Sequence, residues 1–85
     1  MRIYITCELD NTSGIGYIDG LDPYDNIESA INRAKVIIGD ETYNWDTEKR
    51  NDYINKFEAD ANKYLHAGLN FVDQLGRVMI VVKDM

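Results

Sequence analysis

NWDTEKRNDYINKFEADANKYLHAG, residues 44–68, decides the fold. Ile54, Phe57, Ala61, Tyr64 and Leu65 recur in it at steps of three and four, which places them on one stripe of an α-helix. The other faces carry Asp52, Asn55, Lys56, Glu58, Asp60, Asn62 and Lys63, all of which water can solvate. Thr42, Asn44 and Asp46 are each competent to cap this helix, and Gly68 ends it. A rod of this kind needs an apolar surface to lie on, and the flanking segments supply one.

On the C-terminal side, Leu69–Val72 and Arg77–Lys83 read as two strands. Asp73-Gln74-Leu75-Gly76 suits a four-residue loop with glycine in the left-handed position. The last strand, Val78-Met79-Ile80-Val81-Val82, is apolar on both faces, as expected of a strand that is central in its sheet or covered on its second face. It is therefore expected to pair with the first strand as well as with the third.

On the N-terminal side lies a first helix, predicted over about residues 23–38. Asp22-Pro23 offers an N-cap followed by proline at the first helical position, and Asp25 with Glu28 offers an alternative cap. Ile27, Ala30, Ile31, Ala34 and Ile38 form its stripe, Val36 and Ile37 broaden the apolar face, and Gly39 suits the terminating position. Before it, Ile3, Ile5, Cys7 and Leu9 alternate with Arg2, Tyr4, Thr6 and Glu8, the period of a half-buried strand. Residues 10–14 are turn chemistry, and Ile15–Ile18 reads as a short second strand closing a hairpin. The expected architecture is α+β: one domain, residues 1–85, with a small antiparallel sheet of three to four strands in the order β-β-α-α-β-β and two helices on one face.

Composition bounds the function. The chain is 45% hydrophobic and 28% charged, as in ordinary globular domains. No apolar run approaches the roughly 18 residues of a membrane helix. The opening residues read as a strand, without the basic and apolar regions of a signal peptide, so a cytoplasmic location is expected. Fifteen acids against nine bases give a net charge of −6. Direct nucleic-acid binding, which needs clustered Lys and Arg, is not expected. An acidic face that competes with nucleic acid for a basic protein is compatible with that charge. Cys7 is the only cysteine, so an internal disulfide is excluded and a small buried hydrophobe is expected.

No motif for catalysis or for a cofactor stands out. Gly14, Gly16 and Gly20 have the wrong spacing for a dinucleotide fingerprint, and no helix follows directly. Asp19, Asp22, Asp25 and Glu28 are acids of the kind that hold Ca²⁺, but without EF-hand spacing; caps and solvated charge explain them, and no metal or cofactor is assigned. His66, the only histidine, falls in the last helical turn, where the free carbonyls and the dipole favour it. The chain is not expected to be an enzyme.

A patch of aromatics stands outside the helical stripes. Tyr24, Tyr43, Trp45 and Tyr53 lie near helix starts, interleaved with Asp40, Glu41, Asp46, Glu48 and Asp52. Tyr and Trp are enriched at binding hot spots, and an acid-rimmed aromatic patch suits a basic partner surface. The alternative is that Tyr43 and Trp45 fold back to cover the core edge.

The amphipathic Ile27–Ile38 segment and the terminal hairpin, Phe71-Val72-Asp73 to Arg77-Val78-Met79-Ile80-Val81-Val82-Lys83-Asp84, give a plan that resembles phage-encoded anti-CRISPR inhibitors. The resemblance is one of class, without a diagnostic signature. It implies binding to a CRISPR effector over its nucleic-acid surface, as a mimic of DNA, in the host cytoplasm. Ile3-Tyr4-Ile5, Gly14-Ile15-Gly16-Tyr17 and the Asn26–Ile38 helix also resemble the antitoxin of HicA/HicB-type pairs over about the first forty residues; the long second helix departs from that pattern.

The expected function is thus a non-catalytic inhibitor. It would block a partner's nucleic-acid binding through Asp40, Glu41, Tyr43, Trp45, Asp46, Glu48, Asp52 and Tyr53. The alternative is an antitoxin-like or homo-oligomeric interaction module, with a homodimer formed through the last strand.

Overall fold

A computed structural model describes residues 1–10 and 17–85. The elements are β1 (Arg2–Asp10), β2 (Tyr17–Tyr24), α1 (Ile27–Glu41), α2 (Thr47–His66), β3 (Phe71–Val72) and β4 (Val78–Asp84). The four strands form one antiparallel sheet in the order β2-β1-β4-β3, and the expected α+β architecture is what the chain adopts. β4 pairs with β1 from Arg2↔Asp84 to Glu8↔Val78, and with the two-residue β3 on its other side.

Both helices pack on one side of the sheet. Ala30, Ile31, Ala34, Ile37 and Ile38 of α1 and Phe57, Ala61 and Leu65 of α2 enclose a core with Tyr4, Val78 and Ile80. The stripe that marked α2 is thus largely the buried one. Tyr64 sits at its shoulder, half exposed, with its ring tilted against Phe71 at 5.0 Å. Ile37 joins the core but Val36 faces out, because 100° per residue turns consecutive side chains to different sides.

The side of β1 that the helices cover is not its apolar one. Tyr4 and Thr6 point into the helix layer, and Ile3, Ile5 and Leu9 point away from it. Thr6 is fully buried, and its hydroxyl donates to the Ala30 carbonyl at 2.8 Å, which satisfies the polar atom. Ala30 and Ala34 are small enough to let α1 approach that closely.

Several local expectations are corrected. Pro23 does not start α1; it lies in β2 opposite Ile5, on an edge strand, where proline's missing N–H is tolerated. The cap is Asn26, whose side chain accepts from the Ser29 N–H at 2.8 Å, rather than Asp22 or Asp25. Gly39 does not end α1. The helix continues to Glu41 and stops at Thr42, whose N–H and hydroxyl both reach the Ile38 carbonyl. β2 reaches Tyr24, beyond the expected Ile18, and residues 15 and 16 of that expectation lie outside the described residues. For α2 the cap is Asp46, accepting from the Lys49 N–H, and Gly68 lies just past its end at φ +77°.

Candidate functional site

The turn from Thr42 to Asp46 folds α2 back along α1, with the Trp45 N–H donating to the Thr42 carbonyl. The eight residues expected to bind a partner gather around this corner and the first two turns of α2, but in different environments.

Tyr43 is the outward ring, 78% exposed. Trp45 is half buried. It meets Tyr53 edge to face at 5.5 Å, and the Lys49 ammonium lies 4.4 Å above its ring. Tyr53 turns inward and leaves the expected surface. Its hydroxyl donates to the Asp73 carboxylate, and burial together with that carboxylate pushes its pKa well above the ordinary tyrosine range. Tyr24 also packs against the core, near the start of α1, and does not join the corner.

Among the acids, Asp40, Asp46, Glu48 and Asp52 are exposed. Glu48 and Asp52 are one turn apart on α2 and share a face. Asp46 also serves as the helix cap. Glu41 is exposed as well, and its carboxylate forms an ion pair with Arg77 at 3.4 Å. Lys49 and Arg50 interrupt the negative zone; Arg50 is half buried, with a buried Nε that has no hydrogen-bond partner. The corner is therefore acidic on its outer side and mixed closer in.

Sequence reasoning gave Asp73 no role beyond its loop. It is buried and acts as the clamp of the β3–β4 turn. Its Oδ1 accepts from the Arg77 and Val78 N–H groups at 2.7 and 2.9 Å, and its Oδ2 from the Leu75 N–H and the Tyr53 hydroxyl. A loop-initial Asp followed by Gly three residues later was the available signal.

His66 sits in the last turn of α2, its Nδ1 2.8 Å from the Asn62 carbonyl, so that nitrogen carries the proton. It borders a groove between the helices with Asn62, Glu58, Asn32 and Glu28 over Ile31. Glu58 is bridged to Lys35 at 3.0 Å, and no hydroxyl or thiol lines this groove to act as a nucleophile. The acids weighed as ligands are otherwise engaged at two points: Asp22 accepts from Arg33 at 2.9 Å, and Asp25 from the Asn26 amide.

A second surface emerges from the register. Ile3, Ile5, Cys7 and Leu9 share the helix-free side of the sheet with Ile18, Leu21 and Pro23 of β2, and with Val72, Met79 and Val81. Leu21 is 60% exposed, Ile18 49% and Val72 46%. Cys7 is buried among its strand neighbours, which pushes its thiol pKa up and makes it a weaker nucleophile. Among the described side chains that the pairing places on this side, Lys83 alone is charged. The doubly apolar pattern of β4 foretold a covered second face, yet no described element lies over it.

No helix among the described residues is long and apolar enough to cross a membrane. No protein family, curated protein sequence or solved structure matches this chain.

Proposed function

We propose that the protein acts by binding a protein partner rather than by catalysis, and that the outer side of the α1–α2 corner docks onto a basic surface. The observation that carries this reading is Tyr43, 78% exposed in the turn between α1 and α2, with Asp40, Asp46, Glu48 and Asp52 exposed on the flanking residues of the two helices. A large ring standing in water has little value to the fold and much to an interface, where it meets a desolvated pocket. Carboxylates around it steer and orient a cationic partner more than they add raw affinity.

A nuclease whose nucleic-acid groove is lined with Lys and Arg has the matching chemistry, and a CRISPR effector is one candidate of that class. Occupation of the groove by carboxylates excludes the phosphates that the same cations bind. The docking residues are Tyr43, Asp40, Glu48 and Asp52, with Asp46 contributing charge from its capping position.

The test is competition. Purified CRISPR effectors and other basic nucleases are scored for nucleic-acid binding with the parent and with a Tyr43→Ala, Glu48→Lys, Asp52→Lys variant. None of these positions caps a helix or enters the core. Inhibition by the parent that weakens with added salt and disappears in the variant is the expected outcome. Equal inhibition by the variant removes the corner from the binding surface.

A further inference from the structure

We propose that two copies of this chain pack the helix-free faces of their sheets against each other, giving a dimer with four layers, helices outside and two sheets within. This rests on observations separate from the acidic corner.

The two sides of the sheet are finished differently. On the helix side, Thr6, Val78 and Ile80 are fully buried. On the other, Cys7 is buried, Ile5, Leu9, Met79 and Val81 are half-buried, and Leu21 stands 60% exposed, with no described helix over them. Strands spaced about 4.8 Å apart and rising about 3.3 Å per residue make this face on the order of 400 Å² in projection. Its corrugated accessible area is larger. A patch of this extent falls within the roughly 300–600 Å² of the largest patch on a typical monomer, which is often functional. Doubled, the projection is about 800 Å², below the roughly 1,200 Å² of stable interfaces, so with its corrugation the face suits a dimer that dissociates on dilution.

Charge selects the occupant. At a net −6, two copies repel one another over most of their surfaces. The helix-free face carries no carboxylate among the described side chains, and its single charge, Lys83, lies toward the end of β4. Two copies can meet there without opposing acids. A cationic or strongly polar partner finds no complement on this face. What fits is a flat apolar sheet, and a second copy presents one.

Geometry restricts the mode. Edge-to-edge pairing is blunted at both margins: β2 carries Pro23 and faces a register shift between Glu8 and Leu9, and β3 is two residues long. Face-to-face packing remains, in the aligned arrangement of twisted sheets about 10 Å apart. Such a contact is self-complementary and closes at two copies.

Light scattering and sedimentation across a concentration series test this on the full chain. The parent is expected to have the mass of a dimer, dissociating on dilution, with association unchanged or stronger at high salt because like charges are screened. Val81→Lys and Leu21→Glu, each checked by circular dichroism for retained helix, are expected to weaken association at least about tenfold. Leu21→Glu lies on an edge strand at an exposed position, so it remains informative where Val81→Lys fails to fold. A parent that is monomeric throughout overturns the proposal, as does a dimer that both folded variants leave intact. Neither result bears on the competition experiment, because neither substitution touches the α1–α2 corner.

Discussion

Tyr53 and Asp73, twenty residues apart, share a hydrogen bond that fastens the second turn of α2 to the turn between β3 and β4. The carboxylate also holds three backbone N–H groups of that turn, so one buried acid organises the hairpin and docks it onto the helix. Asp73→Ala takes the carboxylate from all four donors, of which only the Leu75 N–H keeps another acceptor, the Tyr53 hydroxyl, and the expected loss is about 3 kcal/mol or more. Asp73→Asn keeps one acceptor oxygen and is expected to cost less. Tyr53→Phe removes one donor to Asp73 and one acceptor for the Leu75 N–H, which keeps Asp73, for about 1–2 kcal/mol. Urea denaturation of the three variants gives the order.

The same pair sets an alkaline limit. Burial, reinforced by Asp73, raises the Tyr53 pKa in the folded chain, whereas in the unfolded chain it ionises near its ordinary value of about 10. A raised folded value means a contribution that is complete below that ordinary value and lost as pH climbs through the folded one. The parent's urea midpoint is therefore expected to fall as pH rises above about 10, and the advantage of the parent over Tyr53→Phe to narrow with it. A constant difference across that range sinks the assignment.

Phe57 is 4% exposed and packs against Phe71 with ring centres 5.7 Å apart. Phe57→Ala is expected to cost about 3–5 kcal/mol, since α2 is held on the sheet by few large side chains. A variant that melts like its parent contradicts the packing of α2 described above.

Two glycines should respond with opposite signs. Gly39 lies inside α1, and a methyl group there meets only the Arg50 Nη2 at 3.5 Å, an ordinary contact. Gly39→Ala is expected to stabilise by about 0.5–1 kcal/mol. Gly68 has φ +77°, and its added methyl would face the Arg2 guanidinium at 3.4 Å. Gly68→Ala is expected to destabilise by about 1 kcal/mol. Thermal melts of the pair decide both.

The element order and the sheet's central pairing were legible because they rest on periodicity: the stripe through Phe57, Ala61 and Leu65, and the doubly apolar run of β4. Boundaries were less so. Asp22-Pro23 is a good helix start in isolation, and only the pairing of β2 with β1 makes Pro23 an edge-strand residue. Gly39 stops a helix only where the chain adopts a left-handed turn, and Thr42 supplies another end. The direction in which β1 faces was hidden for a different reason. Alternation distinguishes Ile3, Ile5 and Cys7 from Tyr4 and Thr6, but not which set meets the helices, and a buried Thr with a carbonyl in reach overrides hydropathy. At the corner, composition identified the residues that gather there, but Tyr53 was drawn inward by Asp73, a partner twenty positions away that local pattern does not reveal.

The sheet's two middle strands lie at opposite ends of the chain: β1 starts at Arg2 and β4 finishes at Asp84. On a ribosome, β1 must wait for β4, which emerges after every other described element. At synthesis rates of about 5–20 residues per second, roughly 3–12 s separate the end of β2 from the end of β4. Through that interval the nascent hairpin shows Ile5, Cys7, Leu9, Ile18 and Leu21 on one side, with no strand yet along the second edge of β1. Contacts this distant in sequence also slow the search for the native state relative to helical bundles of similar size. The domain's dependence on chaperones should therefore be greatest before β4 emerges and small once that strand has paired.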